Sequence, residues 1–218
     1  MLKAVLFDLD GTLTDTLADI AAAMNRSLRL HGLPEWPVDA YRYLVGDGAK
    51  TLSERCVRER LELAPSVRGE YQAYYQEHTL VTTQPYPGIR EMLHALQEMG
   101  LKLTVLSNKP DADTRGVVAY FFPEIRWSLV RGQVEGVPVK PDPTGALLLA
   151  QQIGVAPQEI LYLGDTSVDM RCACAAGMYP VGALWGFRTE DELRQSGAAF
   201  ITNTPDDVVQ HIKGVTKL

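Results

Sequence analysis

The sequence predicts a doubly wound parallel α/β sheet carrying one helical insert. Three observations predict it. Short runs of continuous apolar residues alternate with segments of helical periodicity. Three of those runs end abruptly in polar or turn-forming residues, at Asp8, Ser107 and Gly164. Residues 35 to about 80 instead carry helical stripes with no convincing strand.

The elements follow in order. Ala4–Phe7 is apolar on both faces and ends in Asp8-Leu9-Asp10-Gly11-Thr12, as a central parallel strand would. Thr16-Leu17-Ala18-Asp19 has the pattern of a capped helix start. Leu17, Ile20, Ala21, Met24 and Leu28 then repeat at helical spacing until Gly32 and Pro34 stop them. In the insert, Val38, Tyr41, Leu44 and Val45 form one stripe. Leu52, Cys56 and Val57 form a second, and Val67, Tyr71, Tyr74 and Tyr75 a third. Pro85, Pro87 and Gly88 close it downstream.

Alternation then resumes. Ile89 to Met99 reads as a helix ended by Gly100, Leu101–Leu106 as a strand and Asp113–Tyr120 as a helix. Arg126–Val130 reads as a weak strand. Asp142 and Pro143 open a helix as N-cap and first-turn residue, and Gly154 closes it. Ile160–Leu163 is a strand, a helix runs to Gly177, Tyr179–Ala183 is a strand, and a last helix starts after Pro205. The expected architecture is a Rossmann-like core of residues 1–15 and 82–218, with residues 16–81 as the helical insert.

Composition narrows the function. A chain of 218 residues suits one large domain or a core with a smaller insert, and folds without disulfides or structural metal. Apolar content of 46% and charged content of 22% exclude disorder, collagen and coiled coil. A net charge of −6 argues against nucleic acid or an anionic membrane as the main partner. Three scattered cysteines make no disulfide framework and point to a reducing compartment. No apolar run approaches the ~20 residues that span a bilayer, and Asp8 and Asp10 interrupt the N-terminal one. A cytoplasmic protein acting on a small molecule is expected, as either a monomer or a homodimer.

Ligands of such sheets bind beyond the C-terminal ends of the strands. Those ends carry Asp8 and Asp10, then Ser107, Asn108 and Lys109, then Lys140, then Asp165 with Asp169 one helical turn on. Four gathered carboxylates repel one another unless a cation neutralises them, and a hard divalent ion such as Mg²⁺ takes oxygen ligands of this kind. Mg²⁺ and a lysine beside an aspartate suit phosphoryl transfer. Asp8 is then the nucleophile and Asp10 the acid/base.

The segments Asp8-Leu9-Asp10-Gly11-Thr12, Leu106-Ser107-Asn108, Lys140-Pro141-Asp142-Pro143 and Gly164-Asp165-Thr166-Ser167-Val168-Asp169 resemble, in order, the motifs of the haloacid dehalogenase superfamily. The resemblance covers nearly the whole chain. It implies metal ligation by the Asp8 and Asp165 carboxylates and the Asp10 backbone carbonyl, with Asp169 supporting the metal. It further implies phosphate binding by Ser107 and Asn108, with Thr12 among the substrate contacts, and a helical cap at residues 16–81 that closes over substrate. The second aspartate favours a phosphatase. Ser107-Asn108-Lys109-Pro110 and the Gly46-Asp47-Gly48 turn are most similar to phosphoglycolate phosphatases, so 2-phosphoglycolate is the favoured substrate. Its carboxylate would need a cation, for which Arg42, Lys50 and Lys109 are the candidates.

Other readings fare less well. An EF-hand fails because Leu13 and Asp19 occupy its Gly and Glu positions. Gly46–Thr51 lacks the glycine and the strand of a P-loop and reads as a turn between insert helices that reaches toward the site. Asp142 reads as a helix cap, Cys172 and Cys174 as buried small residues, and the three tyrosines as a packing face. Within the superfamily, a phosphosugar mutase or a phosphatase of pyrophosphate or a sugar phosphate is the alternative. Outside it stands a phospho-acceptor signalling module, which is shorter and has no helical insert after its first strand.

Overall fold

The structure is a computed structural model that describes residues 1–216. Strand β1 spans Ala4–Phe7 and β2 Thr14–Asp15. Helices α1 (Leu17–Leu30), α2 (Tyr41–Leu44), α3 (Gly48–Cys56) and α4 (Ala64–Glu77) follow before β3 (Gln84–Pro85). Then come α5 (Ile89–Glu98), β4 (Lys102–Pro110), α6 (Asp111–Phe121), β5 (Trp127–Gln133) and α7 (Thr144–Ile153). The chain continues through β6 (Ile160–Gly164), α8 (Ser167–Ala176), β7 (Tyr179–Ala183), α9 (Glu190–Gln195), β8 (Phe200–Thr202) and α10 (Pro205–Thr216).

Six strands form one parallel sheet in the order β5-β4-β1-β6-β7-β8. The order reverses about β1, which is where a doubly wound sheet opens its crevice. β1 explains its continuous apolar run. Val5 and Phe7 enter a core with α5, α6 and α10, whereas Ala4 and Leu6 enter another with α7 and α8. All four side chains are fully buried, and burial of this kind contributes roughly 1.5–3 kcal/mol per large side chain. Phe7 pairs with Val105 on one side and Leu163 on the other, so Asp8 emerges at the sheet's centre, its N–H donating to Leu163 O at 2.9 Å.

α1 to α4 pack around a third apolar cluster that includes Leu17, Met24, Leu52 and Val67. This helical layer is tied to the sheet by a small antiparallel pair, β2 with β3, too short for sequence patterning to reveal. Three local expectations change. Thr16 makes no capping bond and its buried Oγ1 has no partner among the described residues. Asp19 turns instead to the returning segment, accepting from the backbone N–H of Val81, Thr82 and Thr83 and from both threonine hydroxyls. Those bonds hold its carboxyl below the usual range against the opposing effect of burial. Asp142 is not the N-cap: the helix begins at Thr144 with Pro143 as its N-cap, one residue later than expected, and the Asp142 side chain accepts from Thr144 N at 2.8 Å from the position before that cap. Cys172 is buried whereas Cys174 is exposed, because residues two apart on a helix face different ways.

Candidate active site

Asp8, Asp165 and Asp169 meet at the C-terminal edge of β1 and β6, each offering a carboxylate oxygen within 4.8 Å of the others'. All three are buried. Lys140, 4% exposed, reaches this cluster from the loop after β5. Its Nζ lies 2.7 Å from Asp8 Oδ1, 2.7 Å from Asp169 Oδ1 and 3.2 Å from the Leu106 carbonyl. Asn108 fixes that loop by accepting from Lys140 N at 2.8 Å and donating to its carbonyl at 3.0 Å.

Each carboxylate has its own environment. Thr12 Oγ1 donates to Asp165 Oδ1 at 3.0 Å, and Phe187 N donates to Oδ2 at 2.8 Å. Asp169 belongs to a capping box with Thr166 and also accepts from the Tyr162 hydroxyl. Burial raises Asp8 well above the ordinary carboxylate range, and the negative charge of Asp169 adds to it despite Lys140. Asp165 is raised to about 7, again by burial first and Asp169 second. Burial alone would lower Lys140, but the two aspartates outweigh it and hold the ammonium above its usual value.

The arrangement carries three carboxylates against one lysine, an excess of negative charge in a buried place. An all-oxygen set of this kind fits a hard divalent cation such as Mg²⁺. Asp8 and Asp165 are the residues that could hold it directly. Asp169 could support it from behind, since both of its oxygens are already engaged.

A stability prediction follows from the raised carboxyls. Between their ordinary value of 3.8 and about 7, the folded chain binds more protons at Asp8 and Asp165 than the unfolded chain does. Without divalent cations, stability therefore falls as pH rises from about 4 to 7. The raised Lys140 is charged in both states over that window, and the lowered Asp19 acts below it. Urea unfolding in EDTA at pH 5 and pH 7.5 checks this; greater stability at pH 7.5 would contradict it.

Two glycines make room for Asp165. A Cβ on Gly11, whose φ is +89°, would meet Asp165 Oδ2 at 2.3 Å, and one on Gly186 would meet Asp165 Cβ at 2.3 Å and the Gly11 carbonyl at 2.4 Å. Backbone lies on one side of Gly186, so the new methyl cannot be absorbed by a flexible side chain. Gly186→Ala should cost about 1–3 kcal/mol of stability through overpacking, read by urea denaturation. An unchanged midpoint would contradict this placement.

Beside the cluster a cleft of about 640 Å³, open mouth included, lies between the sheet edge and the helical layer. Asp8, Asp10, Ser107, Asn108, Lys109 and Lys140 line it from the sheet, while Val45, Gly46, Gly48, Leu52, Tyr71 and Tyr75 line it from above. The Asp10 carboxylate is not part of the three-carboxylate cluster. Lys109 Nζ holds it at 2.7 and 2.9 Å and also contacts the Tyr75 hydroxyl at 2.9 Å. Asn108 Nδ2 donates to the Gly46 carbonyl, so the Gly46-Asp47-Gly48 turn does reach the site.

Several expected contacts are not brought together. Arg42 donates to the Gly186 carbonyl at 3.0 Å and does not line the cleft. Lys50 lies on the outer face of α3 beside Glu54, its side chain 74% exposed. Thr12 is fully buried under Asp165 and supports that carboxylate rather than a ligand. Of the three proposed cations, only Lys109 faces the cleft. Tyr71 and Tyr75 combine packing with a place on the cleft wall.

Phe187, Gln72 and Asp113 line the cleft without having been foreseen. Phe187 had a signal, since it lies just past the end of β7. Gln72 and Asp113 had none, because isolated polar residues on helices ordinarily face solvent.

Sheet order and motif placement together define a hydrolase of the haloacid dehalogenase type. The family model of haloacid dehalogenase-like hydrolases matches residues 5–183, and the chain belongs to that family. Within it the chain is an enzyme of the phosphatase kind, similar in sequence to phosphoglycolate phosphatases. It is 32% identical over 213 residues to phosphoglycolate phosphatase of Aquifex aeolicus, covering 96% of each chain. It is 34% identical over 214 residues to N-acetylmuramic acid 6-phosphate phosphatase of Pseudomonas aeruginosa, covering 95% of this chain and 93% of that one. The crystal structure of a predicted phosphoglycolate phosphatase from Haemophilus somnus 129pt superposes with a TM-score of 0.89 at 28% identity, covering 97% of this chain and 98% of that one.

Proposed function

We propose that the protein is a Mg²⁺-dependent phosphomonoester hydrolase that works through an aspartyl-phosphate on Asp8, with 2-phosphoglycolate as the first substrate to test. The observation that carries the chemistry is the buried Asp8–Asp165–Asp169 cluster with Lys140 in its midst. A bound Mg²⁺ would neutralise phosphate charge and hold the phosphoryl group against Asp8.

The chain's own residues supply the rest. An Asp8 carboxylate oxygen attacks phosphorus, and the bond to the leaving alcohol breaks. Asp10 gives that oxygen a proton. Asp10 then takes a proton from water, which attacks phosphorus, releases inorganic phosphate and restores Asp8. Ser107 and the Asn108 backbone bind the phosphate oxygens. Lys140 keeps the Asp8 charge tolerable in a buried site and offsets charge on the phosphoryl group. Residues 16–81 act as the cap over the cleft and exclude water during the first step.

Curated relatives named for phosphoglycolate support the substrate. Lys109 is the one proposed cation that lines the cleft, but its ammonium is already held by Asp10 and the Tyr75 hydroxyl. The relative named for a sugar phosphate, together with the room in the cleft, favours sugar phosphates as a second reading. Both require small phosphorylated partners, consistent with a cytoplasmic setting.

The test is a panel of phosphate esters assayed with Mg²⁺ and with EDTA, ranked by kcat/KM. Turnover of at least one ester, lost in EDTA and restored by Mg²⁺, is expected. Undiminished turnover in EDTA would remove the metal from the proposal, and a ranking led by pyrophosphate or an aryl ester would remove 2-phosphoglycolate.

A further inference from the structure

We propose that Asp113, assisted by Gln72, selects the alcohol part of the substrate, favouring esters that present a hydroxyl there and disfavouring those that present a second carboxylate. The inference rests on the hydrolase reading above and names a residue that separates its two substrate classes.

Asp113 lies in the first turn of α6, four residues beyond Lys109, and Gln72 lies on α4 one turn before Tyr75. Both line the cleft, one from each side of it. Neither side chain makes a hydrogen bond to any described residue, whereas every other carboxylate lining the cleft is engaged: Asp8 by Lys140 and Asp10 by Lys109. A partly desolvated carboxylate and amide without partners are acceptors and donors waiting for a ligand that supplies the complement. Burial raises the Asp113 carboxyl above its ordinary value, with Lys109 opposing and Asp10 adding to the rise.

Charge decides which ligand fits. The Lys109 ammonium is the cleft's cation nearest this place, and both Asp10 oxygens already hold it. A carboxylate arriving beside Asp113 therefore meets a like charge that nothing nearby fully offsets. A hydroxyl donates to Asp113 and accepts from the Gln72 amide with no such penalty. The apolar wall of Ile20, Val45, Leu52 and Phe187 would cover the carbon face of a sugar ring.

The experiment measures kcat/KM with Mg²⁺ for a hexose 6-phosphate, 2-phosphoglycolate and p-nitrophenyl phosphate, the last carrying neither hydroxyl nor carboxylate. Asp113→Asn should lower the ratio of hexose 6-phosphate to p-nitrophenyl phosphate about tenfold or more, because hydrogen bonds to charged groups are worth that factor. It should raise the ratio of 2-phosphoglycolate to p-nitrophenyl phosphate several-fold. Gln72→Leu should lower the hexose ratio alone, and it carries the test if Asp113→Asn does not fold. Ratios unchanged within twofold in a folded variant, or both moving together, would overturn the proposal. A wild-type protein on which the hexose ester is neither substrate nor competitive inhibitor would overturn it too. Wild-type protein that turns over none of the three esters removes the hydrolase reading itself, and the role of Asp113 falls with it; turnover with unmoved ratios removes Asp113 alone.

Discussion

Asp8→Asn is expected to abolish turnover, by at least about a thousandfold in kcat, while the protein stays folded. The amide oxygen of asparagine is a far weaker nucleophile than a carboxylate, so the first step stops. The fold should tolerate the change. Asp8 is a buried carboxylate crowded by Asp169 and Asp165, and burial together with those charges raises its pKa. Asparagine nearly matches its size and removes that repulsion, though it weakens one of the two ion pairs of Lys140. The two effects oppose each other, and the unfolding midpoint in EDTA should stay level or rise. Circular dichroism and urea unfolding beside a phosphate-release assay read both outcomes. Retained turnover would eliminate Asp8 as nucleophile, and an unfolded variant would show that the pairing with Lys140 outweighs the crowding.

Lys140→Met has the opposite signature, with both activity and stability lost. The side chain is similar in length, but its charge is gone. Asp8, Asp169 and Asp165 are then left together in a buried cluster without a cation. Removing one partner of a buried ion pair typically costs about 3–5 kcal/mol. In EDTA the urea midpoint should fall by an amount of that order, and kcat/KM should drop at least about a hundredfold. Mg²⁺ should recover part of the stability, because it replaces the missing positive charge. A variant as stable as the wild type in EDTA would show that the three aspartates do not depend on Lys140. Comparing the two variants separates electrostatic support of the cluster from chemistry on Asp8.

The parts of this architecture that repeat were readable in the chain. β1 shows itself as Ala4–Phe7 because a central strand must be apolar on both faces, and Gly100, Gly154 and Gly177 mark helix ends by composition alone. The site followed from the strand ends, since topology brings Asp8 and Asp165 to one edge from 157 residues apart, 165 less 8. What stayed hidden depends on where a particular side chain points. Arg42 and Lys50 flank a turn that does reach the cleft, yet one is engaged by a backbone carbonyl and the other faces solvent. Thr12 sits in the first motif but turns inward to Asp165. Asp19 followed a capping pattern but bonds a segment more than sixty residues away. No periodicity encodes such choices, because they are settled by the packing of one element on another.

The most direct test of the central claim is acid-quenched peptide mass analysis of the enzyme caught during turnover of its best ester. With Mg²⁺ present, the peptide that contains Asp8 should carry one phosphoryl group, and neither EDTA-treated enzyme nor Asp8→Asn should show it. Full turnover with that peptide unmodified throughout, or the phosphoryl group found on another residue, would contradict the account.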